Sequence, residues 1–344
     1  MIRAVVICCF AVLIPLTAGK AQSLNPSYEA IIERSINDFI LPRYARLGAS
    51  ADQLQNAAQS CGGEEAELRS AYHAAFDAWI EVSHIRLGPS EENDAAFAIA
   101  FWPDPKGFTA KSLKKLIATK DPVIENPATF QEVSIASRGF FALERLLFDQ
   151  SFADLADGYR CKLVGAITHD LKRLSDTIEM GWLSGYADVL RGKDETGSFS
   201  DDKEAVRALY STLKTGAEFT MTARIDRPLG SNDRPRPKRA EAWRSGRSNR
   251  NIILSINALS DMFEVVFAPE VPKETAEMIR SEFDYVRGQA EALTEPLLTA
   301  VADPLDRGRV ITLRFSIEGL LEQFDGLLRP SLALSLSFNT LDGD

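Results

Sequence analysis

Histidine and cysteine are scarce in this chain: it has three and four, respectively, among 344 residues. No CxxC pair and no HExxH occurs, so no zinc-site signature is present. A Gly-rich phosphate loop and a GxSxG elbow are also missing, which leaves no positive case for a nucleotide enzyme or a serine hydrolase. Positive charge is in deficit, with 39 Lys and Arg against 49 Asp and Glu and a formal charge of −10. That balance argues against generic nucleic-acid binding. Convincing alternating strands are absent. Beyond the first twenty residues no segment reads as a transmembrane helix, so no transmembrane segment is expected in the mature chain.

The N-terminus carries an export signal. Arg3 supplies the positive start, Ala4 to Leu16 is apolar and broken only by Pro15, and Gly19-Lys20-Ala21 places small residues at the cleavage positions. The apolar run is short for a bilayer span, so residues 1–21 read as a cleavable signal peptide and Gln22 as the new N-terminus. Cys8 and Cys9 lie inside the apolar run, which does not fit a lipid-anchoring cysteine. The expected location is the periplasm. Removing Arg3 and Lys20 takes the charge to about −12. Cys61 and Cys161 then remain, and in an oxidising compartment they have a single possible pairing; two buried thiols are the alternative.

The mature length suits about two domains. Helical periodicity runs through Leu68 to Ile85, Leu163 to Ile178, Ile252 to Phe267 and Ile311 to Leu328. An all-α fold of two helix-bundle-like halves follows, 22–190 and 191–344. A short internal match supports a duplication: Ala78-Trp79 precedes Arg86 by the spacing at which Ala242-Trp243 precedes Arg250, and each half has a Glu (Glu144, Glu318) in a Leu-rich helix. Proline marks the loops, as in Phe101-Trp102-Pro103-Asp104-Pro105.

Glu144 is the most informative residue. In GFFALERLLF it has Phe140 and Phe141 one turn before it and Leu147 and Phe148 one turn after. A carboxylate so surrounded must be paired, protonated or metal-bound. It is either a ligand or acid/base group, or one partner of a buried ion pair. A second cluster is EAWRSGRSNRN, where Trp243, Arg247 and Arg250 fall at i, i+4 and i+7 and would share a helical face. These arginines either neutralise Glu144 and Glu318 or bind an anionic ligand. Arg86, followed by Gly88-Pro89, and Trp102 could approach the same interface; Trp102 could equally be a hydrophobic plug. The stretch from Arg224 to Arg250 is locally basic and reads either as a solvated loop or as a face for an anionic partner. His73, His84 and His169 have no helical metal-pair spacing and read as packing or solvated residues.

Four ordered segments, AW(x6)RxGP, FWPD, GFFALERLLF and AEAWRSGRSNRNI, make the chain resemble the imelysin-like, or M75 peptidase, family from about residue 27 to 335. The resemblance implies an envelope-associated helical protein of two bundle-like halves, linked to iron uptake, with peptidase activity ascribed to some members. The family hallmark is GxHxxE. Here Gly139 and Glu144 match it, and Phe141 stands at the histidine position. Phenylalanine neither chelates nor accepts a proton, leaving Glu144 as the one candidate metal ligand. The expected function is therefore a non-enzymatic accessory protein in iron acquisition, with a ligand site between the halves lined by Glu144, Arg86, Trp102, Trp243, Arg247 and Arg250. Its ligand would be iron or another divalent metal, or a small anionic chelate, and other envelope iron-uptake proteins are its expected partners. A metallopeptidase using Glu144 is the alternative.

Overall fold

Asp201 and Asp303 show how this sequence starts helices. Each side chain caps exposed backbone amides, Asp201 at Glu204 and Asp303 at Leu305 and Asp306. The computed structural model describes residues 25–62, 65–153, 158–193 and 197–334. The expected signal peptide lies outside them.

Among the described residues the elements are helices and turns, with no strand beyond one isolated bridge between Ser231 and Arg234. The first layer pairs Leu41–Ala58 with both Glu65–Val82 and Gly158–Gly181, and Gly139–Phe148 leans on the last of these. In the second, Lys273–Glu291 packs against Pro304–Gln323 and Ser248–Met262. Ser248–Met262 also contacts Asp202–Phe219 and, from the first segment, Glu65–Val82. The apolar stripes read from the sequence are the buried faces: Leu68, Tyr72, Ala75, Phe76 and Trp79 all point inward. Buried side chains from Ile31 to Leu334 form one contiguous core across both segments. Each large aliphatic or aromatic side chain so buried contributes about 1.5–3 kcal/mol before the entropy cost.

Cys61, in the turn after Leu41–Ala58, is bonded to Cys161 in Gly158–Gly181, with Cα atoms 5.5 Å apart. The pairing expected from an oxidising compartment is therefore present.

One sequence expectation changes. Ser248–Glu270 is, by length and composition, apolar enough to cross a membrane, contrary to the sequence reading. It is a core helix: more than half of its apolar window is buried between its neighbours. The two copies of the short internal match differ in local structure. Trp79 sits inside Glu65–Val82, whereas Trp243 lies in a turn ahead of Ser248–Met262. Glu144 is buried, while the Glu318 side chain is 42% exposed and pairs with Arg314 on its own helix.

Candidate functional site

The site grows from one close approach. Gly139 opens the Gly139–Phe148 helix at φ +70°, and a Cβ there would lie 2.2 Å from the Ile99 carbonyl oxygen and 2.3 Å from that of Ala98. Only glycine lets the two backbones meet. That contact sets the helix so that Phe141 and Glu144 face the loop 101–107 and the turn 241–246.

Glu144 is 2% exposed, and its partners are two backbone amides and a serine hydroxyl rather than arginine side chains. Oε1 accepts from Ser245 N (3.0 Å), Ser245 Oγ (2.9 Å) and Arg244 N (3.1 Å). Burial raises its pKa, and the Ser245 amide and the Arg244 charge oppose that rise. The carboxylate thus holds a turn about a hundred residues away against its own helix. The turn has Ala242 at φ +46° and Gly246 at φ +71°. For this reason the expected Trp243–Arg247–Arg250 helical face does not form: the helix starts at Ser248, and Trp243 precedes it in non-helical backbone.

The arginines separate by burial. Arg247 is 1% exposed and lines neither of the two cavities described below. Its Nη2 is bonded to Asp77, its Nη1 lies 3.1 Å from the His73 carbonyl oxygen and 3.0 Å from His73 Nδ1, and its guanidinium sits over Phe76. Arg250, on the exposed side of the same carboxylate, also pairs with Asp77. Neither arginine reaches Glu144 or Glu318 as the sequence alternative had it.

Beside Glu144 opens a cleft of about 250 Å³. Trp102 and Trp243 line it together with Phe141, Glu144, Arg227, Lys238 and Arg239. Its acids are already engaged. Asp104 caps the Phe108–Thr119 helix through the Phe108 and Thr109 amides, both at 2.9 Å. Asp149, outside the cleft lining, takes the cleft residues Arg145 and Arg244; burial pushes its pKa up, but bonds from Ser151 and these arginines outweigh it and leave it at about 2. Arg227, Lys238 and Arg239, by contrast, have no carboxylate partner among the described residues. Arg227 Nε is buried without a hydrogen bond, and burial and then the neighbouring Arg239 lower its pKa. Arg244 stacks 4.1 Å from the Trp243 ring centroid, and Arg227 lies 5.9 Å from that of Trp102. The sequence reading left this stretch as a solvated loop or a face for an anionic partner; here Arg227, Lys238 and Arg239 from it line the cleft.

Trp102 stacks on Phe141, with centroids 6.1 Å apart and planes at 17°. The pair divides the cleft from a second cavity of about 310 Å³, which both residues also line. This is where the structure places Arg86, ion-paired with Glu91. Of the expected site residues, Glu144, Trp102 and Trp243 come together at the cleft, Arg86 lies beyond the partition, and Arg247 and Arg250 are at the Asp77 seam.

The second cavity contains a residue that the sequence reading assigned to packing. His84 is 6% exposed, and neither ring nitrogen has a hydrogen-bond partner among the described groups. Burial, then the charges of Arg43 and Arg224, push its pKa down to about 3. An unfolded histidine takes its proton near 6.5, so between about 6.5 and 3 the unfolded state binds a proton that the folded state refuses. Stability is therefore full above that window and falls as pH drops through it, by about 1.4 kcal/mol per pH unit. Replacing His84 with Phe removes this contribution. In urea titrations the variant's advantage over the parent should widen by about 2 kcal/mol between pH 6.5 and 5; a gap that stays constant would mean that the imidazole is protonated in the fold.

The imelysin profile (M75 peptidases) matches residues 40–323. The chain belongs to the imelysin family. Its fold is similar to that of an imelysin-like protein from Psychrobacter arcticum 273-4, with a TM-score of 0.76 at 19% identity, covering 90% of this chain and 97% of that one. It is also similar to a putative iron-regulated protein A precursor from Parabacteroides distasonis ATCC 8503, with a TM-score of 0.72 at 15% identity, covering 88% and 95%. No curated protein sequence matches it. Within this imelysin fold the donor set at Glu144 does not fit a resident metal. Phe141 is stacked on Trp102 and edge-on to Phe76, Oε1 of Glu144 already receives three donors, and no group of three His, Cys, Asp or Glu side chains converges among the described residues.

Proposed function

We propose that this imelysin-family protein is a non-enzymatic periplasmic binding protein that captures a small anionic chelate in the Trp102–Trp243 cleft, in the service of iron acquisition. The supporting observation is the crowding of Arg227, Lys238 and Arg239 at one cleft without a carboxylate partner among the described residues. Like charges held together, with Arg227 partly desolvated, raise the energy of the empty site, and an anion relieves it. The two indoles flank the guest and limit its hydration. The link to iron comes from the family and from a structural neighbour described as an iron-regulated protein A precursor, a name that also speaks for export. Partners among other envelope iron-uptake proteins belong to the same reading.

Calorimetry with citrate and with ferric citrate tests it. Each charge-assisted contact contributes roughly 1–1.5 kcal/mol, so combining Arg227→Ala, Lys238→Ala and Arg239→Ala should weaken binding by about two to three orders of magnitude. Added salt should weaken the parent as well. Unchanged affinity in the triple variant would refute the anion site. Stoichiometric binding of ferrous iron alone, lost in Glu144→Ala, would favour a cation site instead. Peptide hydrolysis abolished by EDTA and by Glu144→Ala would favour the metallopeptidase.

A further inference from the structure

We infer that the lysine face of the Phe108–Thr119 helix docks this protein on an anionic phospholipid surface, with Phe108 as the side chain that enters it. This goes beyond the anion site and does not rest on it. Five of the chain's thirteen lysines (Lys106, Lys111, Lys114, Lys115 and Lys120) fall between 106 and 120, and that stretch contains no Asp or Glu. With a formal charge of −10 for the whole chain, the rest carries −15. An anionic bilayer therefore repels the chain as a whole and attracts this face, which orients the approach.

The helix separates its two faces. Leu113, Leu116 and Ile117 are buried, and the helix packs on Gly139–Phe148. Phe108, Lys111 and Lys115 recur at i, i+3 and i+7 on the outer side, with Lys114 one turn from Lys111. Lys106, Lys111, Lys114 and Lys115 are exposed and have no carboxylate partner among the described residues. The nearest acids along the chain are engaged elsewhere. Asp104 caps this helix, Asp121 accepts from the Val123 amide, and Glu125 pairs with Lys162. Phe108 favours a bilayer over an acidic protein as the partner. It is 45% exposed, and the Lys106 and Lys111 ammonium groups lie 5.8 and 5.9 Å from its ring centroid. Such a ring can enter the boundary of the acyl chains while the long lysine stems keep their charges at the level of the phosphates. An acidic protein surface would satisfy the lysines and leave the ring in water.

Co-sedimentation with vesicles tests the docking, using the chain from Gln22 onward, which carries the whole described core and leaves out the apolar N-terminal run. It should bind vesicles of equal parts phosphatidylcholine and phosphatidylglycerol, and not phosphatidylcholine alone. Added salt should release it. Each lysine at such a surface is worth about fivefold in partitioning, so Lys111→Gln/Lys115→Gln should weaken binding roughly 25-fold. Both side chains are exposed, and circular dichroism checks that the variant is folded. Lys203→Gln/Lys273→Gln, an equal loss of charge on two other helices, should stay within about twofold of the parent. Phe108→Trp should add a blue-shifted emission on the anionic vesicles that the parent lacks, which reads entry of the side chain itself. Citrate calorimetry of Lys111→Gln/Lys115→Gln should match the parent within about twofold, so failure of the docking and failure of the anion site are told apart. Equal binding to both vesicles, binding to neither, full binding by the double lysine variant, no added emission from Phe108→Trp, or tighter binding to polyglutamate than to the anionic vesicles would each overturn it.

Discussion

Replacing Arg247 with leucine is expected to lower the unfolding free energy by about 3–5 kcal/mol, whereas Arg250→Leu should cost less than about 1 kcal/mol. Both arginines hold the same carboxylate, Asp77, and differ in burial: the Arg247 side chain is 1% exposed and that of Arg250 59%. The Arg250 guanidinium exchanges Asp77 for water at little cost. Arg247 has no such exchange. Its removal takes away the bond to Asp77, the bond to the His73 carbonyl and the stacking on Phe76, and opens a void next to the start of Ser248–Met262. Arg247 joins that helix to Glu65–Val82, so the loss falls on the seam between the two layers. Denaturation midpoints at constant m-value read both variants. Equal effects would show that burial does not set the energetics of this network.

The second large effect is that of the disulfide. Cys61 and Cys161 are separated by 100 residues. Closing a loop of that size removes conformations from the unfolded chain worth about 4–5 kcal/mol in the chain-entropy model. The double variant Cys61→Ser/Cys161→Ser, or the parent in reductant, should lose about that much stability in guanidinium titrations. Its m-value should rise, because the unfolded chain exposes more surface once unlinked. A loss below about 1 kcal/mol would place the constraint in native contacts that survive reduction, such as the packing of Leu41–Ala58 on Gly158–Gly181. The bond would then be redundant to the fold.

Much of this architecture follows from local rules. The four amphipathic windows are helices because their apolar residues repeat at the helical period, and burying that face is the only stable outcome for each. The cysteine pairing was expected because Cys61 and Cys161 are the two cysteines beyond the apolar N-terminal run. The importance of Glu144 follows from a charge set among phenylalanines and leucines, which the chain must satisfy somehow. What satisfies it was not legible. Helical spacing suggested arginine side chains; the donors are the amides of Arg244 and Ser245, available because Ala242 and Gly246 take left-handed backbone and stop the helix short.

His84 shows the same limit from the other side. Its neighbours in the chain suggest a packing residue, and its unpartnered nitrogens are visible only once Asp202–Phe219 and the loop at Trp102 close around it. The cleft cations look like a soluble, proline-broken loop until Trp102 and Trp243 arrive from segments far apart in sequence.

The sequence alone determined that this chain is helical, that Cys61 and Cys161 are the two cysteines beyond the apolar N-terminal run, and that Glu144 is a charge set among apolar neighbours and in need of partners. Those are consequences of composition, period and desolvation, which act on neighbours along the chain. Tertiary structure alone decided that Arg247 is a buried strut, that Glu144 grips a turn, and that Arg227, Lys238 and Arg239 meet at one cleft. Each depends on which distant groups share a low-dielectric space, and spacing along a helix carries no information about that.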